Sequence, residues 1–134
     1  MASILRVNTL TDASSNNSTA MSTINQGTLK AWVNFNGTGT PSPRDSFNIS
    51  SINDDGTGKY DYVYTSNMAN ANYSPCIGGN LNEGDSTGNT HADTRRIATT
   101  TSLHGIRGLV YDSSASGSFS DLLNCYAQVA GDLA

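Results

Sequence analysis

Few side chains in this sequence could do acid–base, nucleophilic or metal chemistry. There are two histidines, two cysteines and eleven acids, only one of which, Glu83, is a glutamate. Nucleophilic catalysis would need His91 or His104 beside a Ser or Cys, with an acid to orient the ring. Serines are so abundant here that some Ser–His proximity is expected by chance. The Gly-x-Ser-x-Gly pattern occurs once, as Gly84-Asp85-Ser86-Thr87-Gly88, but inside a polar Gly/Asn/Ser stretch and not at the strand-to-helix turn that signature requires. Paired carboxylates for glycoside hydrolysis could come from Asp54, Asp55, Asp61, Glu83 or Asp85. That reaction needs two carboxyls about 5–9.5 Å apart across a cleft. Asp54-Asp55 ahead of Gly56 fits a turn better. The 53–61 stretch has acids and glycines but lacks the alternating acids and closing glutamate of a calcium loop. Cys76 and Cys125 match no zinc spacing. They are expected as two reduced, buried thiols, with a single disulfide as the alternative. The sequence therefore predicts no catalytic centre, no metal and no cofactor.

Aromatic residues are the remaining candidates for recognition. Trp32 and the tyrosines could form a sugar-stacking platform, but aromatics on a strand face are more often core or subunit interface. Trp32, Phe35, Phe47, Tyr60, Tyr62 and Tyr64 are assigned to core or interface on that ground. The charge balance excludes other partners. Seven Lys+Arg stand against eleven Asp+Glu, a net charge of −4, so there is no basic footprint for phosphates. Arg95 and Arg96 are adjacent, and in a strand they point to opposite faces. No apolar run is long enough to cross a membrane as a helix. The N-terminus shows no basic segment followed by a long apolar one, so folding in a cytoplasm is expected. Asn17, Asn36, Asn48 and Asn72 start Asn-x-Ser/Thr triplets, which arise by chance in so Asn-, Ser- and Thr-rich a chain.

The elements that must position these residues are short strands. Ser, Thr, Asn and Gly approach half of the 134 residues, a composition that weakens helices and suits tight turns. Residues 4–10 alternate as a short strand, followed by a polar tract at 12–19. Met21 and Ile24 supply at most one helical turn. Residues 1–29 are read as an extended arm for anchoring or oligomerisation, and 30–134 as the folded domain. Residues 29–36 alternate strongly, with Ala31, Val33 and Phe35 on one face and Lys30, Trp32, Asn34 and Asn36 on the other. Asn36-Gly37 signals a hairpin turn, and Pro41 and Pro43 exclude a central strand from the loop that follows. Residues 47–52 read as a strand with a bulge, and 53–58 as a turn. Tyr60, Tyr62 and Tyr64 then share one face. A short strand is expected at 73–77. Residues 78–90 form a long polar loop, which is uncommon in a compact domain and often functional. Its Asn80, Asn82, Glu83, Asp85 and Asn89 are candidate receptor or partner contacts. Three strands follow, near 92–100, 106–111 and 122–129, with a Ser/Gly-rich loop at 113–120. In the last strand Leu123, Cys125, Ala127 and Val129 alternate with Asn124, Tyr126 and Gln128. The fold class expected is all-β, a small antiparallel β-sandwich or jelly-roll-like domain with an extended N-terminal arm. Hydrophobic residues are only 36%, so the core is thin and an obligate homo-oligomer is expected.

Several segments in order resemble a known family. They are Leu5-Arg6-Val7-Asn8-Thr9-Leu10, then Ala31-Trp32-Val33-Asn34-Phe35-Asn36-Gly37-Thr38-Gly39-Thr40, then Arg44-Asp45-Ser46-Phe47-Asn48-Ile49-Ser50-Ser51-Ile52. Asp55-Gly56-Thr57-Gly58-Lys59-Tyr60 and Met68-Ala69-Asn70-Ala71-Asn72-Tyr73 complete the set. Over residues 4–75 the chain resembles the small virion structural, or tail-fibre, proteins of marine tailed phages of cyanophage and pelagiphage type. It departs from their pattern at Pro41 to Pro43, at Tyr62 and Tyr64, and beyond Cys76. The resemblance implies a non-enzymatic, trimeric β module on the virion surface. Its partners would be itself, other virion proteins and a host receptor or glycan. A fibre that contributes to host attachment is the first reading. A capsid decoration, cement or head-fibre protein is the second, and a glycan-cleaving enzyme a remote third.

Overall fold

The alternation in residues 29–36 is realised as β3 (Leu29–Asn36), whose Ala31, Val33 and Phe35 are buried while the residues between them are half-buried. The same period of two organises β6 (Lys59–Tyr64), which buries Tyr60, Tyr62 and Tyr64, and β11 (Asn124–Ala130), which buries Cys125, Ala127 and Val129. The structure is a computed structural model that describes residues 4–15, 17–81, 90–111 and 117–134. Its remaining elements are β1 (Thr9–Thr11), β2 (Ser18–Ala20), α1 (Met21–Gly27), β4 (Ser42–Phe47), β5 (Ile49–Asp54), β7 (Ser74–Asn80), β8 (Thr90–Thr99), β9 (Leu103–Tyr111) and β10 (Gly117–Phe119).

Two antiparallel sheets pack face to face as an all-β sandwich. One has the order β4-β3-β11-β7. In the other, β5 pairs β6 and β6 pairs β9. β8 takes the opposite edge of β9, and β10 extends the β6 edge alongside Leu109 to Tyr111. The chain passes from the first sheet to the second at Asn48. Residues 47–52 were expected as one bulged strand, but Asn48 adopts φ 57° and divides the stretch into the end of β4 and the start of β5. Left-handed backbone is costly for most residues and tolerable for Asn. Here the side chain also holds the corner, donating to the carbonyls of Lys30 and Ser66 (both 3.0 Å) and accepting from the Ser66 N–H at 2.7 Å. β4 contains Pro43 and is an edge strand, the position that tolerates a missing donor.

Large rings on one sheet meet small side chains on the other. The tyrosines of β6 pack over Ala31, Val33, Cys125, Ala127 and Val129, with Ile106, Leu122, Met68 and Tyr73 closing the core. Phe35 and Tyr60 meet edge-on, centroids 5.3 Å apart, and Tyr64 stands edge-on to both Tyr62 and Tyr73. Each such pair adds about 0.5–1.5 kcal/mol beyond area burial. The hydroxyls fare differently. Tyr60 Oη lies 2.9 Å from the Gly37 carbonyl and 3.0 Å from Asp121 Oδ1, and the same carboxylate oxygen accepts from the Gly58 N–H at 2.7 Å. Asp121 thus ties the β3–β4 and β5–β6 turns to the segment leading into β11. Gly58, at φ 64°, lies so close to Ser120 and Gly108 that a Cβ would meet their backbones at 2.7–2.8 Å. The Tyr62 and Tyr64 hydroxyls, by contrast, are buried without a hydrogen bond. Burial drives the ionisation of all four core tyrosines upward.

Several expectations are corrected. Residues 4–8 form no strand, because only Thr9–Thr11 finds a partner, in β2. The Asn36-Gly37 turn is longer than a two-residue hairpin: Asn36 Oδ1 accepts from the Thr38 N–H and hydroxyl, and β4 starts at Ser42. The loop expected at 113–120 contains β10, formed by pairing with the end of β9. Leu122, not Leu123, enters the core. Gly78, Gly79 and Asn80, expected in the 78–90 loop, belong instead to β7, which runs to Asn80 in register with Asn124, and residues 82–89 of that stretch lie outside the described residues.

Two stability outcomes follow. Tyr60→Phe leaves the Gly37 carbonyl and Asp121 without this donor and should cost about 1–3 kcal/mol. Tyr62→Phe removes an unpaired buried hydroxyl and should be near neutral or stabilising. Urea unfolding of both variants checks this, and an equal loss in the two would contradict it. His104, 1% exposed between Tyr62 and Tyr73, is the second case. Desolvation lowers its pKa from 6.5 to about 4. The unfolded chain therefore takes up a proton below about 6.5 that the folded chain refuses, so stability is lost as pH falls from 6.5 toward about 4. Thermal melts should show a shallower acid loss in His104→Phe than in the parent. The same slope in both would contradict the assignment.

Candidate functional site

The alternation that sends tyrosines inward from β6 sends other aromatics outward from the facing sheet. Trp32 leaves β3 on the side opposite Ala31 and Val33, and Tyr126 leaves β11 opposite Cys125 and Ala127. The pairing register aligns these outward residues into rows. One row runs Cys76, Gln128, Trp32, Phe47 across β7, β11, β3 and β4. The next runs Gly78, Tyr126, Asn34, Asp45. Neighbours within a row are about 4.8 Å apart, and rows lie about 6.8 Å apart along a strand. Phe47 is 51% and Tyr126 40% exposed, so both present ring area to solvent.

The two ends of this face differ. At the end near Asn80 the polar groups bind each other. Arg44 Nη1 reaches Asn124 Oδ1 at 2.7 Å, Asn34 Oδ1 at 3.2 Å and the Phe35 carbonyl at 3.3 Å, and Nη2 reaches the Leu123 carbonyl at 2.8 Å. Asn124 in turn donates to Asn80 Oδ1 at 2.7 Å. At the other end the polar tips are open. Among the described residues, the Trp32 indole, the Tyr126 hydroxyl and the Gln128 amide have no hydrogen-bond partner. A groove of about 300 Å³ runs there between β7 and β11, lined by Cys76, Ile77, Gly78, Tyr126, Ala127 and Gln128. Its shape depends on Gly78. A Cβ at that position would sit 3.1 Å from Tyr126 Cδ2 and 3.4 Å from Cε2, so the missing side chain lets the ring lean over β7.

The aromatic residues named from sequence therefore divide. Phe35, Tyr60, Tyr62 and Tyr64 are core. Trp32 and Phe47 are not core, because the tyrosines of β6 and the small inward residues of β3 already fill the space between the sheets. Of the proposed contact loop, Asn80 belongs to β7, while Asn82, Glu83, Asp85 and Asn89 lie outside the described residues. His104 is a core residue, and the side chain of His91, in β8, also lies outside the description. Asp54 accepts from the Gly56 N–H within its turn. Sequence reasoning missed Tyr126, Gln128 and Gly78 as surface candidates. The signal for the first two was present, since they alternate with Cys125, Ala127 and Val129. The glycine opposite Tyr126 becomes meaningful only once the β7–β11 register is known.

Among the described residues no group of three His, Cys, Asp or Glu side chains is placed to hold a metal ion. No helix there is long and apolar enough to cross a membrane. Compared with known proteins, the chain matches no family model, no curated protein and no solved structure.

The cysteines are both free, and the register explains why. Of the two thiols expected to be buried only Cys125 is: it faces the core, where burial pushes it up to about 12, whereas Cys76 is on the outer face of its sheet and exposed. A water-soluble thiol reagent should modify one cysteine per native chain, identified as Cys76 by peptide mapping, and reach Cys125 only on unfolding. Two rapidly reacting thiols, or none, would contradict this placement.

Proposed function

We propose that the chain is a non-enzymatic structural module of a tailed-phage virion, displayed at the particle surface and contributing to host attachment. The observation that carries this reading is the contrast between body and arm. The body closes a core of its own, with Phe35, Tyr60, Ile106, Leu122 and Val129 at 0–1% exposure. The arm buries nothing: every described residue from 4 to 20 is exposed, and α1 has no buried residue. It nevertheless carries Ile4 and Leu5, 75% and 80% exposed, with Val7 and Leu10 beside them. Large apolar side chains grouped on one exposed segment are typical of surfaces that another chain covers. A two-stranded hairpin such as β1–β2 is marginal by itself. An arm that orders against neighbouring virion subunits and a rigid sandwich held outward fit a surface module, with a homotrimer as the assembly the sequence resemblance favours.

The same arm also supports the second reading, a capsid decoration protein. An apolar arm can clamp adjacent capsid subunits as well as anchor a fibre. Gold-labelled antibody on intact virions separates the two. Label at the tail or fibre tips is the expected result. Label spread over the head would replace attachment with decoration, and virions without label would overturn both readings.

A further inference from the structure

The open end of the outer sheet face has a chemistry of its own. Tyr126, Trp32 and Phe47 supply apolar ring surface, and Gln128 stands in register between Cys76 and Trp32. A pyranose has just the complementary parts. Its axial C–H groups form an apolar patch that packs flat on an aromatic ring. Its hydroxyls, arranged around the edge, need planar donors and acceptors beside that ring. Gln128 offers an amide with both roles, the Trp32 indole offers a donor and the Tyr126 hydroxyl offers either. None of the three is engaged within the described residues.

We propose that the groove between β7 and β11 is a binding subsite for a neutral hexose-containing glycan, with a sugar ring stacked on Tyr126 and its hydroxyls met by Gln128. This rests on the attachment reading and names the ligand of its exposed face. Three observations carry it together. The first is the side-chain-free floor at Gly78, over which the Tyr126 ring leans. The second is volume, since about 300 Å³ is at the small end of ligand sites and matches a single sugar subsite better than a large ligand. The third is charge. Arg44, on the same face, is held by Asn34, Asn124 and two carbonyls, and the described residues that bound the groove include no Lys, Arg, Asp or Glu. A groove without charge selects a neutral ligand over a sialylated or sulfated one. Trp32 and Tyr126 are diagonal neighbours on adjacent strands, about 7–8 Å apart, so a second sugar of the same chain could pass from one ring to the other.

The protein reports on this face directly, because Trp32 is its single tryptophan. Trp32 fluorescence of the full chain is followed while neutral oligosaccharides are added: maltohexaose, cellohexaose, laminarihexaose, mannohexaose and a β-galactan hexamer. At least one should give a saturable change, with Kd in the range of about 0.1–5 mM expected for one or two subsites. Tyr126→Ala and Gln128→Ala should each weaken that binding at least about 5-fold while leaving the circular dichroism spectrum and melting temperature near those of the parent. Asn36→Ala, on the same sheet outside the groove, should leave binding unchanged. No saturable change with any of the five up to about 10 mM, or equal binding by all three variants, overturns the proposal. So does a Trp32 signal that depends on protein concentration alone, which would mean a second copy covers the face. Failure here leaves the gold-labelling result untouched, and absence of the protein from virions leaves the glycan titration untouched.

Discussion

Everything in this molecule depends on the register with which β3, β6, β9 and β11 pair. β3, β6 and β11 each alternate between a buried side and a more exposed one, and a slip of one residue would exchange the two along the whole strand. In the observed register three tyrosines of β6 enter the space between the sheets, where Ala31, Val33, Cys125, Ala127 and Val129 are small enough to receive them. Their bulk compensates for a sequence poor in aliphatic residues. It also means that no room is left for Trp32 or Phe47. The aromatics of the outer face are outside because the core is already full.

The register is held at the two ends of the sandwich by polar groups. At one end Asp121 gathers Tyr60 and the Gly58 N–H, and the Gly37 N–H bonds the Leu122 carbonyl at 2.9 Å. At the other, Asn48 ties β3, the turn after β6 and the crossover between sheets. Both sites replace water contacts that buried or half-buried backbone would otherwise lose. They fix the two sheets relative to each other, and so hold the outer face of β4, β3, β11 and β7 as a rigid surface. Rigid placement matters for weak ligands, because little ordering cost is left to be met on binding.

Much of this was legible in the residues, and what was not has identifiable causes. The strong alternation of residues 29–36, 60–64 and 123–129 gave strands, faces and the all-β class. The same pattern could not say which aromatics share the core, since Trp32 and Phe35 lie on opposite faces of one strand and hydrophobicity alone favours burying both. The break at Asn48 was hidden because its cause is distant in sequence: Lys30 and Ser66 supply the partners that make a left-handed Asn favourable. β10 was invisible for a similar reason, as Gly117-Ser118-Phe119 has no strand pattern until the end of β9 offers an edge. Tyr126 was placed on the correct face by alternation, but its role needed Gly78, forty-odd residues away in the chain and opposite it in the sheet.

Hydroxyl-radical footprinting of the purified protein, read residue by residue by mass spectrometry, tests this register most directly. Trp32, Phe47 and Tyr126 should oxidise rapidly, and Phe35, Tyr60, Tyr62 and Tyr64 should be strongly protected. Protection of Trp32 and Tyr126 together with oxidation of the β6 tyrosines would mean that the strands pair in the other register. It would contradict both the core and the outer face derived from it.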